Sequence, residues 1–203
     1  MIGTAPRSNA RKYRNPNPVH QWLLRRFLEA VAVEAQDALG PASSPRLLDV
    51  GCGEGYVLRR LKSLWPDTAM QGVDGDAEAL KEARSFVPRA FLGRADATHL
   101  PFQDKSFDLV ACTEVLEHLK EPSQALDELA RVCRGHVLLS VPNQPFFSLA
   151  NLARGQNVGR LGEDPDHVHH WTAFQFLALV KRRLKVVRVR YPFPWVLVLA
   201  ETL

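Results

Sequence analysis

Apolar and polar positions along this chain repeat with two periods, and the two periods alternate. From Val19 to Leu39, Trp22, Leu23, Phe27, Ala30, Val31 and Ala38 recur at helical spacing with charges between them, which predicts an amphipathic helix. Gly40-Pro41 ends it, and Ala42-Ser43-Ser44-Pro45 links it onward. Apolar runs near 46–50, 69–73, 90–93, 107–112 and 137–141 then predict buried strands, separated by helical patterns near 55–65, 76–86 and 122–132. Strands alternating with helices imply a parallel sheet covered on both faces. Residues 173–183 read as a last helix. Lys185–Arg190 and Trp195–Ala200 read as two strands joined at Tyr191-Pro192-Phe193-Pro194, a hairpin that makes one edge of the sheet antiparallel.

Two stretches stand outside the alternation. Residues 1–18 are polar and rich in Asn, Pro and Arg, and are expected to form a flexible arm. Residues 142–171 are long, polar and marked by Gly155, Gly159, Gly162 and Pro165. Connections of that length in a compact domain are usually functional or disordered. This one leaves the carboxyl end of the fifth strand, where open α/β sheets bind ligands, and is therefore the expected substrate lid. The division is an arm at 1–18 and one domain at 19–203, with a cofactor-binding core at 46–141 and a lid at 142–171.

The densest chemical signal is Leu47-Leu48-Asp49-Val50-Gly51-Cys52-Gly53-Glu54-Gly55, a buried strand opening into glycines at alternate positions before a helix. Glycine serves where the backbone takes positive φ or approaches a ligand, and a helix start offers free N–H groups. Asp74 ends the next apolar segment nineteen residues after Gly55, a position from which a carboxylate can accept from both hydroxyls of a ribose. Asp96, in Gly93-Arg94-Ala95-Asp96-Ala97, lies at the tip of a third strand. A nicotinamide-binding fold shares the glycine turn and the ribose acid, but it has no place for the Asp96 segment or for Glu117-His118-Leu119.

Taken in order, Leu48–Gly55, Gly72-Val73-Asp74, Asp96-Ala97 with Leu100-Pro101-Phe102, Phe107-Asp108-Leu109-Val110 and Glu117-His118-Leu119 resemble the class I S-adenosylmethionine-dependent methyltransferases, in particular methyltransferase type 11. The match runs over residues 46–141, about half the chain. The resemblance implies a Rossmann-like, doubly wound, mostly parallel seven-stranded α/β sheet with an antiparallel C-terminal edge hairpin. It also implies that Asp49 and Gly51 line the methionine part of the cofactor, that Asp74 holds the ribose, and that Asp96 with the Ala97 backbone reads the adenine. Cys52, Gly53, Gly55, Gly75 and Thr113 complete the expected cofactor set.

Methyl transfer from a sulfonium mainly requires alignment of the nucleophile, and an oxygen nucleophile must also lose its proton to a base or near a metal. Two segments offer such groups. Glu114-x-x-Glu117-His118 is expected on a helix, where i, i+3 and i+4 share a face. Asp164-Pro165-Asp166-His167-Val168-His169-His170-Trp171 lies in the lid. Both are similar to segments of metal-dependent O-methyltransferases, the small-RNA 2′-O-methyltransferases and the ubiquinone-biosynthesis enzymes among them. By that resemblance Glu114, Glu117, His118 and His167 hold a divalent ion such as Mg, Mn, Fe or Zn. Alternatively His118 or His167 acts as a metal-free catalytic base, or the acids merely favour a helix dipole and the histidines a solvated loop. Phe146 and Phe147 are candidates for acceptor contact, whereas Phe193 and Trp195 are expected in the sheet core.

Composition adds limits. At 203 residues with a net charge of +4, the chain can bury a substantial core. Basic residues gather at Arg7, Arg11, Lys12, Arg14, Arg25 and Arg26, and at Lys181, Arg182, Arg183, Lys185, Arg188 and Arg190. They fit either phosphate attraction or solvated faces. Cys52, Cys112 and Cys133 fit neither a disulfide framework nor a metal spacing. The absence of a signal-like apolar segment or a membrane-length run points to a soluble cytoplasmic protein. The expected activity is methylation of a small-molecule acceptor, at an oxygen and with a lipid- or sugar-linked body in view. RNA 2′-O-methylation is the first alternative, and a non-catalytic cofactor-binding or scaffold role the second.

Overall fold

The computed structural model describes residues 13–40, 44–155 and 157–202. Helix α1 (Pro18–Leu39) is followed by β1 (Leu47–Val50), α2 (Tyr56–Lys62), β2 (Met70–Asp74), α3 (Ala77–Phe86), β3 (Phe91–Arg94) and β4 (Phe107–Thr113). Then come α4 (Pro122–Val132), β5 (Cys133–Pro142), α5 (Phe146–Ala153), α6 (Ala173–Val180), β6 (Leu184–Arg190) and β7 (Trp195–Thr202), with single 3₁₀ turns at Leu116–His118 and Val158–Arg160. The seven strands form one sheet in the order β3-β2-β1-β4-β5-β7-β6. β1 to β5 are parallel, while β7 runs antiparallel to both β5 and β6. This is the expected Rossmann-like sheet. The hairpin is refined in one respect: its second strand inserts between β5 and β6, which is why Trp195–Ala200 are all buried.

Alternation along each strand sorts the core into two layers. Val137, Leu139, Val141, Val196 and Val198 face α4 and α6 on one side. Leu47, Leu109, Leu138, Leu197 and Leu199 face α1 and α2 on the other, against Leu24, Phe27 and Leu58. Asn17 caps α1, its side chain accepting from the backbone of Val19 and His20, and buried Glu34 ties the helix to Arg190 and Arg188 on the edge strand β6. No helix of the described residues is long and apolar enough to cross a membrane.

Three expectations are corrected here. The stretch 142–171 is not one long loop, because α5 occupies its first third, docked through buried Phe147 and Asn151. Glu114–His118 is not a helix. It is a 3₁₀ turn preceded by Glu114 at φ +60°, so the i, i+3, i+4 face does not exist. The last residues of the expected arm are held in place: Gln21 Nε2 donates to the Tyr13 and Asn15 carbonyls, each at 2.7 Å. Residues 1–12, with Arg7, Arg11 and Lys12, lie outside the described residues, as do 41–43 of the linker.

Candidate active site

The chain moves outward from β1 to β3 and then restarts with β4 on the other side of β1, so the switch point lies between the carboxyl ends of β1 and β4. Ligands of open α/β sheets bind at such a crevice. The glycine turn leaves β1 there. The Gly51 and Cys52 amides both donate to the Val73 carbonyl, at 2.7 and 3.0 Å, which folds the turn over β2. Gly51 has φ +74°, and a Cβ on it would stand 2.1 Å from Val115 Cγ2. No other residue type fits that position.

A small pocket opens at the switch point, lined by Asp49, Gly51, Cys52, Glu54, Thr113 and Glu114, with Tyr13 and Tyr56 at its mouth. Of the expected cofactor residues, Asp49, Gly51, Cys52 and Thr113 line it directly. Gly53 and Asp74 meet beside it, the Gly53 amide donating to Asp74 Oδ2 at 2.7 Å, while the other carboxylate oxygen accepts from Asp76 N. Gly55 forms the αL N-cap of α2. Asp96 accepts from the Thr98 amide and hydroxyl, bonds that hold its carboxyl below the usual range. Gly75 and Ala97 stand on the same edge, near Arg94, whose Nε donates to the Gly75 carbonyl.

Three acids, Asp49, Glu54 and Glu114, line this one pocket. Asp49 is buried, and Oδ2 has no hydrogen-bond partner. Burial, and then the neighbouring Asp74 charge, push it up to about 8. A buried carboxyl in that state awaits a positive group. The residues thus suit a ligand with cationic groups and a ribose, which describes S-adenosylmethionine. Tyr13 was not foreseen. It stacks on Tyr56 with ring centroids 3.8 Å apart and leaves a void of only about 20 Å³. Burial raises the Tyr13 phenol, and Glu114 and Asp49 raise it further. The only sequence signal was an aromatic residue within a polar arm.

The histidine cluster lies next to this pocket. Glu117 is buried, and one ligand atom each from Glu117, His118 and His167 fall within 4.8 Å of one another. Val168 N and His169 N both donate to the Glu117 carbonyl, and His118 Nδ1 stands 2.9 Å from the Asp166 carbonyl. Since that carbonyl can only accept, Nδ1–H is the donor. Burial and then the His118 charge lower His167 to about 4, so it is neutral near pH 7. The neutral imidazole is the form required both of a metal ligand and of a general base. Glu114 is not part of this group. It accepts from Trp195 Nε1 at 2.7 Å and joins the cofactor pocket instead. His169 is structural, stacked on Trp171.

On the far side of Trp195 lies an apolar groove of about 490 Å³ lined by Phe146, Phe174, Tyr191, Phe193, Pro194 and Trp195. Phe193 is half exposed there, so it is not sheet core, whereas Trp195 is buried as expected. The C-terminal basic cluster is largely paired with acids: Arg183 with Asp127, Lys185 with Glu201, and Arg188 and Arg190 with Glu34 and Asp37.

Comparisons with known proteins agree with this geometry. Residues 48–141 match the family model of a methyltransferase domain. The chain is 37% identical over 113 residues to a probable S-adenosylmethionine-dependent methyltransferase of Mycobacterium tuberculosis, covering 54% of this chain and 40% of that protein. It is 36% identical over 118 residues to the demethylmenaquinone methyltransferase of Lactiplantibacillus plantarum, covering 52% and 50%. The chain therefore spans half or less of the length of these curated relatives. Among solved structures, the magnesium protoporphyrin IX methyltransferase of Synechocystis, with bound SAH, superposes with a TM-score of 0.72 at 19% identity, over 96% of this chain and 92% of that one. Over residues 48–141, a little under half of the chain, the sequence is thus similar to the methyltransferase domain of S-adenosylmethionine-dependent methyltransferases.

Proposed function

We propose that the protein transfers a methyl group from S-adenosylmethionine to an oxygen of a small, largely apolar acceptor. One juxtaposition carries the reading: the acid-lined pocket at the β1/β4 switch point adjoins the Glu117–His118–His167 cluster, and Glu114 is close enough to act on the His167 charge. Bound S-adenosylmethionine supplies an activated methyl group on a sulfonium. Asp49, Glu54 and Glu114 balance its positive charges, while Asp74 and Asp96 orient the ribose and the adenine. In this reading the apolar groove beyond Trp195 shields the acceptor body from water, and His118 takes a proton from the acceptor hydroxyl.

Glu117, His118 and His167 also form a set suited to one divalent ion, two imidazoles and a carboxylate that favour no single metal. When bound, such an ion would acidify an acceptor hydroxyl. Glu114 is no part of this set. RNA as acceptor gains no support from the paired basic cluster.

The test is calorimetry with S-adenosylmethionine on the wild-type chain and on Asp49→Ala, Asp74→Ala and Gly51→Val, followed by mass-spectrometric detection of methylated product from a panel of amphipathic hydroxy compounds. Unchanged cofactor affinity in all three variants would sink the assignment.

A further inference from the structure

The two sides of α5 have different surroundings. Phe146 and Leu149 are exposed, whereas Phe147 and Asn151 are buried. Phe147, Asn151 and Arg154, at i, i+4 and i+7, share the inward face. At one end of that face the Phe147 ring lies 5.6 Å from His167, centroid to centroid. At the other end Arg154 reaches between α5 and the first turn of α1. Nη1 donates to Nδ1 of buried His20 at 2.7 Å, and Nη2 donates to Oδ1 of Asn151. Asn151 is itself fixed, its Nδ2 donating to the Gly162 carbonyl at 2.8 Å.

Neither partner of Arg154 carries a negative charge. The contrast with the other half-buried arginines is clear: Arg60 is paired with Glu29, Arg131 with Glu128 and Asp104, and Arg183 with Asp127. Among the described residues no carboxylate pairs with Arg154, and burial alone moves its guanidinium down. No residue outside the description has an acidic side chain to offer it. Its Nε is buried with no hydrogen-bond partner. A guanidinium drawn out of water with neutral neighbours and an idle donor is an incomplete ion pair, and its planar fork matches the two oxygens of a carboxylate or phosphate.

We propose that Arg154, held by His20 and Asn151, is an anion subsite for a carboxylate or phosphate carried by the methyl acceptor. This rests on the reading of the carboxyl edge as a methyl-transfer site. Seven residues of helix separate Arg154 from Phe147, about 10 Å at 1.5 Å per residue. The acceptor is accordingly an elongated amphipathic acid or phosphate ester, its anionic group about that far from the end that meets His118 and His167.

The experiment uses the full chain and four probes: inorganic phosphate, acetate, hexanoate and, at matched ionic strength, chloride. Binding is followed by the arginine Nε–Hε resonances and by thermal shift, in wild type and in Arg154→Gln. Saturable movement of one arginine resonance by phosphate or hexanoate is expected, lost in Arg154→Gln and not reproduced by chloride. Hexanoate should bind at least about tenfold more tightly than acetate, because its extra methylenes bury apolar surface. Equal affinity for the two would mean a free-anion site and overturn the acceptor assignment. Arg154→Gln should melt no lower than wild type without anion, since an uncompensated cation has been removed. A lower melting temperature with no anion response would make Arg154 a strut and end the proposal. Cofactor affinity in Arg154→Gln should stay within about twofold of wild type. A tenfold loss would assign the guanidinium to the cofactor's own carboxylate instead. Failure of the wild type to bind S-adenosylmethionine would remove the methyl-transfer reading while leaving the anion titration to stand on its own.

Discussion

The proposed cofactor side of the carboxyl edge and its proposed acceptor side are built in different ways. On the cofactor side each residue is placed by its own strand or turn: Asp49 by β1, Gly51 by a turn with φ +74°, Asp74 by the end of β2. On the acceptor side, residues far apart in the chain are placed by one another. Glu117 carries Val168 and His169 on its carbonyl, His118 meets the Asp166 carbonyl, and Trp195 holds Glu114. A locally determined site tolerates change around it but not within it. A site assembled from distant segments should show the opposite sensitivity.

The largest expected effect is on the local side. Gly51→Val must force Cβ into Val115, so affinity for S-adenosylmethionine should fall at least a hundredfold, about 2.8 kcal/mol. Calorimetry giving a loss below tenfold would break the contrast. Next comes Asp49→Asn, which keeps the shape and removes the charge. We expect at least about a tenfold loss of cofactor affinity, consistent with one charge-assisted interaction.

The same position carries a pH signature. Folding raises the Asp49 pKa from 3.8 to about 8, so its contribution to stability is full below 3.8 and is lost as pH rises through about 8. The ligand-free wild type should therefore lose melting temperature between about pH 4 and pH 8, with little further loss above, and Asp49→Asn should flatten that loss. Cofactor binding at pH 7 should also release part of a proton, visible as a buffer-dependent enthalpy. The same uncorrected enthalpy in phosphate and in Tris, buffers of very different ionisation enthalpy, would mean that no proton is released and would remove this signature.

On the assembled side, manganese titration followed by electron paramagnetic resonance should show binding that is lost in Glu117→Gln and kept in Glu114→Gln. The reverse pattern would restore the carboxylate that the 3₁₀ turn sets aside. The smallest effect is expected at Phe193→Ser, which is half exposed in the apolar groove. Melting temperature should move by no more than about 2 °C, in line with surface substitutions, while binding of an apolar fluorescent probe drops severalfold. An unchanged probe signal would take the groove out of acceptor binding.

The legible and the illegible parts of the molecule follow the same division. The strands, the glycine turn and Asp74 could be read from the chain because period-2 burial and the positive φ at Gly51 are local properties. The expected helix at Glu114–His118 failed because the residue after β4 turns into positive φ, and nothing in Glu-x-x-Glu-His announces that. Helix α5 escaped notice because its eight residues, Phe146–Ala153, are too short for a helical period to stand out; its sidedness comes from what Phe147 and Asn151 pack against. Tyr13 escaped because its place depends on Tyr56, forty-three residues away in the chain.

The amino-acid order by itself determined the α/β alternation, the seven-stranded architecture implied by its family resemblance, and the cofactor turn, since these rest on backbone sterics and short-range burial. Tertiary packing alone decided that Glu114 lines the switch-point pocket, that Glu117 meets His118 and His167, that β7 enters the sheet, and that Arg154 is left among neutral neighbours. Those outcomes depend on long-range contacts and on which charges are removed from water together, and no local pattern of residues encodes either.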